Sequence, residues 1–329
     1  MKAHELLSED GHAVLALCSS LGLKEGGGDV ATLKLSEWND LEGRLKAASM
    51  TAAALHGKTA ENISNELKID RPLAERIPAL LSRGDRLTVE LERMFAAEIW
   101  ALTRVDEAYP AKLASTLKQH APSVLFGAGN IPLLNKPAVA IVGSRNIDAV
   151  AGEFAMEVGR KAVRSGLAVV SGGAKGSDRI GMQAALDSGG IAIGALADSV
   201  ERTVRQSDVR EFLLDGKLVL ITPYAPTAGF SVGAAMGRNK LIYGMANSGV
   251  VVSSDYQTGG TWAGAVEALK AKWCPVFVRT ADSVPKGNTE LLKLGAQPLS
   301  TNELLAIEDI QEWFAAHATS NAPNQAELF

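Results

Sequence analysis

The sequence predicts an α/β protein in which a mostly parallel sheet carries helices on both faces, with a helical N-terminal domain before it and a short C-terminal helix plus tail after it. Three observations carry this. From Pro137 onward, short runs rich in β-branched residues alternate with helix-length segments. Before about residue 120, apolar residues recur at three- and four-residue spacing. After residue 300 the chain is acidic and amphipathic, and then loses its period. At roughly 100–200 residues per domain, 329 residues suit two domains and an extension. The expected boundaries are 1–120 for the helical domain, 121–300 for the sheet domain, and 301–329 for the acidic helix and tail.

In chain order, helices are expected over 13–21, 35–47, 63–67, 73–81 and 88–98. They are separated by Gly26-Gly27-Gly28, Gly57, Asp70-Arg71-Pro72 and Gly84-Asp85. The linker segments 106–110 and 121–127 read as a turn and an apolar stretch that docks the helical domain. Strands follow at 138–142, 167–170, 191–196, 218–222, 250–253 and 275–279. Each is a short apolar run suited to burial on both faces, as in a parallel sheet. One acidic helix is expected over 302–317, with a loose tail from Ala318.

Composition narrows the function classes. Apolar residues are 47% and charged residues 21%, ordinary for a globular protein, and the net charge is −4. With only Cys18 and Cys274, neither a disulfide framework nor a four-thiolate zinc site is possible. The apolar runs are strand-sized, and Glu5, Glu9 and Asp10 near the start do not suit a signal peptide, so the expected location is the cytoplasm, away from membrane. Five acids and no Lys or Arg follow residue 300, so binding a polyanion would need a focused local patch.

Such a patch is suggested at the strand ends. The first strand ends in Gly143-Ser144-Arg145 and the second in Ser171-Gly172-Gly173-Ala174-Lys175-Gly176, 28 residues later, each before a helix. One strand–helix–strand unit has this length, so both loops fall on the carboxyl edge of neighbouring strands. Glycine allows a tight turn that points amides at an anion, and a helix N-terminus adds partial positive charge. Arg145 and Lys175 add full charges. Gly237-Arg238-Asn239-Lys240 is expected to open a further helix, and Thr258-Gly259-Gly260-Thr261 another, so four loops converge on one edge. Arg238 and Lys240 also fit as surface charges, and each glycine as a plain turn.

Dinucleotide and ATPase glycine motifs and a nucleophile elbow are missing. The five histidines (His4, His12, His56, His120, His317) lie outside the predicted sheet. The edge is therefore expected to hold phosphate without catalysis, metal or cofactor.

These residues resemble the DNA-processing protein A (DprA/Smf) family. The resemblance rests on Val139–Arg145, Ser171–Asp178, Arg238–Ile242, the Gly259 loop, and the lead-in segments Asp106–Leu113 and Pro122–Asn130, in that order along the chain. It implies an extended Rossmann-like domain that binds single-stranded DNA and acts with the RecA recombinase in DNA processing, recombination and natural transformation, commonly as a dimer. By resemblance Gly143, Ser144 and Arg145 contact phosphates, Ser171, Gly172, Lys175 and Gly176 form a neighbouring cradle, and Arg238 and Asn239 the far wall. Gly173, Ser177, Met182 and Ser253 or Ser254 depart from the family pattern, and residues after 300 leave no room for the winged-helix domain of some members. Those departures point to a divergent branch with another maintenance or phage-defence task.

Phe230, Tyr256 and Trp262 are candidates for base stacking or for the core. Gln325, Leu328 and Phe329, after a polar tether, look like a short sliding-clamp docking peptide; the tail could equally fold back onto Trp313 and Phe314. The alternative function is a sensor or phosphoribohydrolase-like enzyme for a nucleotide-like molecule, with Glu267 after the Gly259-Gly260-Thr261 loop as its carboxylate.

Overall fold

The computed structural model describes residues 6–23 and 30–318, which divide into two compact units. The first holds residues up to 128 with 199–204 and 221–228; the second holds 129–198, 205–220 and residues from 229 onward. Gln325, Leu328 and Phe329 lie outside the described residues.

The first unit begins with α1 (Glu9–Cys18), α2 (Leu35–Ala47), α3 (Ala60–Leu67), α4 (Arg71–Leu81) and α5 (Gly84–Ala96). Caps fix their starts. Thr59 Oγ1 accepts from the Asn62 amide, and Asp70 Oδ1 from the Leu73 amide just after Pro72. Next come β1 (Ile99–Thr103), α6 (Ala111–Leu117) and β2 (Val124–Gly129). β1 and β2 pair antiparallel, Ile99 opposite Ala128 and Thr103 opposite Val124. The sequence reading places no strand there: it runs a helix to Glu98 and makes 121–127 a docking segment. Glu98 takes φ 60°, a left-handed turn built without glycine, so nothing in the residue types marks the change of period.

Buried Asp106 ties this unit together. Its Oδ1 accepts from the Ser8 amide (2.9 Å) and hydroxyl (2.7 Å), and its Oδ2 from the Thr103 amide (2.9 Å) and hydroxyl (2.6 Å).

The second unit runs β3 (Ala138–Val142), α7 (Ala149–Arg164), β4 (Ala168–Ser171), α8 (Ser177–Asp187) and β5 (Ala192–Ala195). After α9 (Val200–Thr203), which belongs to the first unit, come α10 (Ser207–Leu214), β6 (Leu218–Thr222), α11 (Val232–Met245), β7 (Ser248–Val251) and α12 (Gly259–Ala271). The chain continues through β8 (Val276–Thr280), α13 (Lys286–Lys293), β9 (Gln297–Ser300), α14 (Thr301–Ala306) and α15 (Ile310–Ala318). The strand order is β6-β5-β4-β3-β7-β8-β9. β3 pairs parallel with both β4 and β7, Val142 lying opposite Val251. From β3 the chain winds outward through β4, β5 and β6, then returns to β7 on the other flank. The order therefore reverses between β3 and β7, where open α/β sheets leave a crevice at the carboxyl ends of the strands.

The strands are buried because their runs are apolar on both faces: Ala138 to Val142, Val169, Val170, Ile193, Val250 and Phe277 have almost no exposure. Gly181 of α8 lets that helix approach β3, since a Cβ there would stand 2.8 Å from the Ile141 side chain. Two further readings are corrected. Residues 302–317 are not one helix. Asp309 Oδ1 accepts from the Gln311 and Glu312 amides (2.8 and 3.0 Å) and starts α15 afresh. The edge strand β9 was not expected, because Pro298 sits inside it.

Candidate functional site

At the switch point, β3 ends in Gly143. A Cβ there would lie 2.3 Å from Ser177 Oγ at the start of α8, so the backbone passes too close for any side chain. The next amide, Ser144 N–H, donates to Ser253 O (2.8 Å), tying the end of β3 to the chain leaving β7. Ser144 O in turn accepts from Ser177. Arg145 is exposed, with its guanidinium carbon 5.6 Å from the centroid of the Phe230 ring.

β4 ends in buried Ser171, whose hydroxyl donates to Ile141 O of β3. Gly176 turns the chain into α8 at φ 82°, and a side chain there would meet Ser144 O and Arg145 O at 2.5 and 2.6 Å. Lys175, just before it, is exposed, and neither it nor Arg145 makes an ion pair among the described residues.

The amides of the two loops do not face outward together. Gly143 N–H donates to Asp178 Oδ1 (3.3 Å) and Gly172 N–H to Asp178 Oδ2 (3.2 Å). Burial pushes Asp178 up from 3.8 to about 6, while the Arg238 charge, both amides and the Ser171 hydroxyl pull it the other way. The sequence reading quoted Asp178 only as the end of a motif. A carboxylate in a first helical turn is common, and nothing local shows that its oxygens turn inward.

Arg238 also sits differently from expectation. α11 begins at Val232, where Ser231 Oγ accepts from the Ala234 amide (3.0 Å), so Arg238 is well inside the helix and does not open it. Gly229, Gly233 and Gly237 punctuate this stretch and read as breakers, which hides the true start. Arg238 is 6% exposed, and Nη1 donates to Ala195 O of β5 (2.9 Å). Its guanidinium lies over Gly172, where a Cβ would be 1.7 Å from Nη1.

Asn239 Nδ2 donates to Gly260 O (2.8 Å), joining α11 to the first turn of α12. The N-cap of α12, Thr258, makes no side-chain hydrogen bond to that turn, so the amides of Gly259, Gly260 and Thr261 have no cap. Lys240 Nζ is 3.0 Å from Glu267 Oε1, a partly exposed pair on the α11–α12 flank.

These elements enclose an open cavity of about 390 Å³. Gly143, Ser144 and Arg145 line it from the β3 side, and Thr258 to Thr261 from the α12 side. Arg238 and Asn239 form part of its wall, and Phe230, Val232 and Met236, all exposed, form an apolar lip. Tyr243 contributes a buried ring whose Oη has no hydrogen-bond partner among the described residues. Ser171, Gly172, Gly176, Lys175, Lys240 and Glu267 do not line the cavity. Tyr256 and Trp262 are also outside it; their rings pack edge to face at 5.0 Å, with Lys286 Nζ 4.6 Å from the Tyr256 centroid. Among the described residues no cluster of His, Cys, Asp or Glu is arranged to hold a metal, and no helix is long and apolar enough to cross a membrane.

Comparison with known proteins gives a consistent family. The model for the DNA recombination-mediator protein A family matches residues 100–310. The chain is 27% identical over 245 residues to the DNA processing protein DprA of Mycobacterium tuberculosis, covering 73% of this chain and 59% of that protein. It is 30% identical over 157 residues to DprA of Streptococcus pneumoniae, covering 47% of this chain and 54% of that one. The chain thus spans somewhat over half the length of these curated relatives. The solved structure of S. pneumoniae DprA has the same fold, with a TM-score of 0.62 at 22% identity over 84% of this chain and 98% of that one. That of DNA processing protein A from Helicobacter pylori, described for its single-stranded DNA binding mode, gives a TM-score of 0.52 at 23% identity, covering 67% and 95%.

Proposed function

The chain belongs to the DNA recombination-mediator protein A family, and we propose that it binds single-stranded DNA without catalysis at the switch-point crevice of its second unit. The observation that carries this reading is the uncapped first turn of α12 facing Arg145 across an open cavity. Backbone amides at a helix N-terminus favour an anion, and an exposed arginine supplies full charge with a fork suited to phosphate. The apolar lip of Phe230, Val232 and Met236 beside that charge suits the faces of unstacked bases, which a duplex keeps covered. Arg145, Lys175, Ser144 and the Gly259–Thr261 turn are the proposed phosphate contacts, with Phe230 the stacking group. Tyr256 and Trp262 are not included, because their ring faces and edges are taken up by packing on each other and by Lys286.

Against the enzyme alternative, Glu267 pairs with Lys240 and does not line the cavity. A RecA-type recombinase, a second copy of the chain, and a sliding clamp docked on Gln325, Leu328 and Phe329 are the further proposed partners. Each is testable by co-sedimentation with the full chain.

The deciding experiment measures affinity for single-stranded DNA, double-stranded DNA and RNA at two salt concentrations. Single-stranded DNA should bind most tightly, with affinity falling steeply as salt rises. A response indifferent to salt would defeat the proposal, as would release of free base from nucleoside monophosphates.

A further inference from the structure

The two glycine loops that resemble phosphate cradles already hold an anion supplied by the chain. The Asp178 carboxylate receives the Gly143 amide on one oxygen and the Gly172 amide on the other. Arg238 lies over Gly172 and donates to the last carbonyl of β5, Ala195 O. We propose that Asp178 and Arg238 are a buried positioning pair: the ionised carboxylate stands where a phosphate would stand between the loops, braces the ends of β3, β4 and β5, and leaves external phosphates to Arg145, Lys175 and the first turn of α12. This rests on the single-strand-binding reading of the crevice and assigns Arg238 away from direct phosphate contact.

Three features support it. Arg238 is buried and its Nη1 already donates to Ala195 O, unlike exposed Arg145 and Lys175. A carboxylate can accept from two separate amides with its two oxygens, and a neutral acid cannot do so as well, because one oxygen becomes a donor. The charged or titratable groups facing Asp178 are Arg238 and Tyr243, both from α11, while the loops after β3 and β4 present amides and the Ser171 hydroxyl.

Two consequences separate a brace from a phosphate contact. Acidification through about pH 6 protonates Asp178, frees one amide and loosens the loops, so affinity for DNA should fall. Substituting Arg238 should weaken binding without changing its salt dependence, because no counterion release is lost.

The experiment measures affinity of the full chain for a single-stranded oligonucleotide from pH 5 to 8 and at several salt concentrations. Wild type, Asp178→Asn, Arg238→Gln, the double variant and Arg238→Lys are compared. Each neutralising single variant should lose about tenfold in affinity, and the double variant no more than either. Asp178→Asn should abolish the pH dependence, Arg238→Gln should move its midpoint upward, and Arg238→Lys should restore it in part. A salt slope lowered by about 0.7 in Arg238→Gln would make that residue a phosphate contact and overturn the proposal. Affinity that rises on acidification would overturn it too. Hydrogen-exchange protection of the Gly143 and Gly172 amides tests the brace without DNA. Protection should drop below about pH 6 in wild type and be low throughout in Asp178→Asn. If wild type binds no DNA yet shows this exchange pattern, the binding reading fails and the brace stands; protection unchanged with pH overturns the brace.

Discussion

A methyl group added at Gly172 would fall 1.7 Å from Arg238 Nη1, and one at Gly176 within 2.6 Å of two carbonyl oxygens at φ 82°. Gly172→Ala and Gly176→Ala should therefore each destabilise the protein by about 1–3 kcal/mol, read as a lower Tm, with loss of binding. Arg145 and Lys175 are exposed and make no ion pair among the described residues, so Arg145→Ala and Lys175→Ala should leave Tm within about 1 °C. Each should lower the salt slope for single-stranded DNA by about 0.7 if its charge meets a phosphate. Asp178 predicts an unusual stability profile. Its folded value, about 6, lies above the ordinary 3.8, so the native state holds this proton more tightly than the unfolded chain. Its contribution is greatest below about pH 4 and is lost as pH rises through 6, on the order of 2–3 kcal/mol. Denaturant titrations of wild type and Asp178→Asn at pH 4 and 7 should differ by that amount. The ionised form then costs stability where it serves the site.

Helices α11 and α12 show how the elements set the crevice. Ser231 caps α11 between Phe230 and Val232 of the apolar lip, so Ser231→Ala should cost about 1 kcal/mol and fray the residues that meet the bases. Its affinity loss should be largest for short oligonucleotides, measured by fluorescence anisotropy. Asn239 is the polar link from α11 to the Gly260 carbonyl, and Lys240 with Glu267 the more exposed one. Asn239→Ala should weaken binding, whereas Glu267→Gln should change stability by about 0.5 kcal/mol or less. The start of α11 was not legible, because Gly229, Gly233 and Gly237 read as breakers; the turn into β1 was hidden because Glu98 makes it without glycine. α4 was legible to within two residues because Asp70 and Pro72 mark its start, whereas the first turn of α3, Ala60 to Asn62, has no large apolar residue and was missed.

On the scale of the whole molecule, each unit has, among the described residues, one buried carboxylate that gathers donors from different segments. In the first unit it is Asp106, joining Ser8 to Thr103; in the second it is Asp178, joining the loops after β3 and β4. Asp106→Ala would leave several buried donors without partners. It should lower stability by about 3 kcal/mol, measured by chemical denaturation, without touching a crevice residue. Both residues lie in segments that carry the family resemblance, and both accept hydrogen bonds from the chain itself.

The residues alone determined the parallel strands β3 to β8 and their direction, because runs of β-branched residues the length of one strand, separated by helix-length segments, have few other ways to bury their surface. They also placed Gly143, Arg145 and Gly259 at a common edge, since the length of one strand–helix–strand unit carries each strand end to the same side. Only the tertiary structure decided which groups face the crevice. A hydrogen bond depends on direction, and Gly143 and Asp178, 35 positions apart, carry no mark that one donates to the other. The same holds for Arg238, whose charge looks the same in sequence whether it meets solvent or lies buried over a glycine.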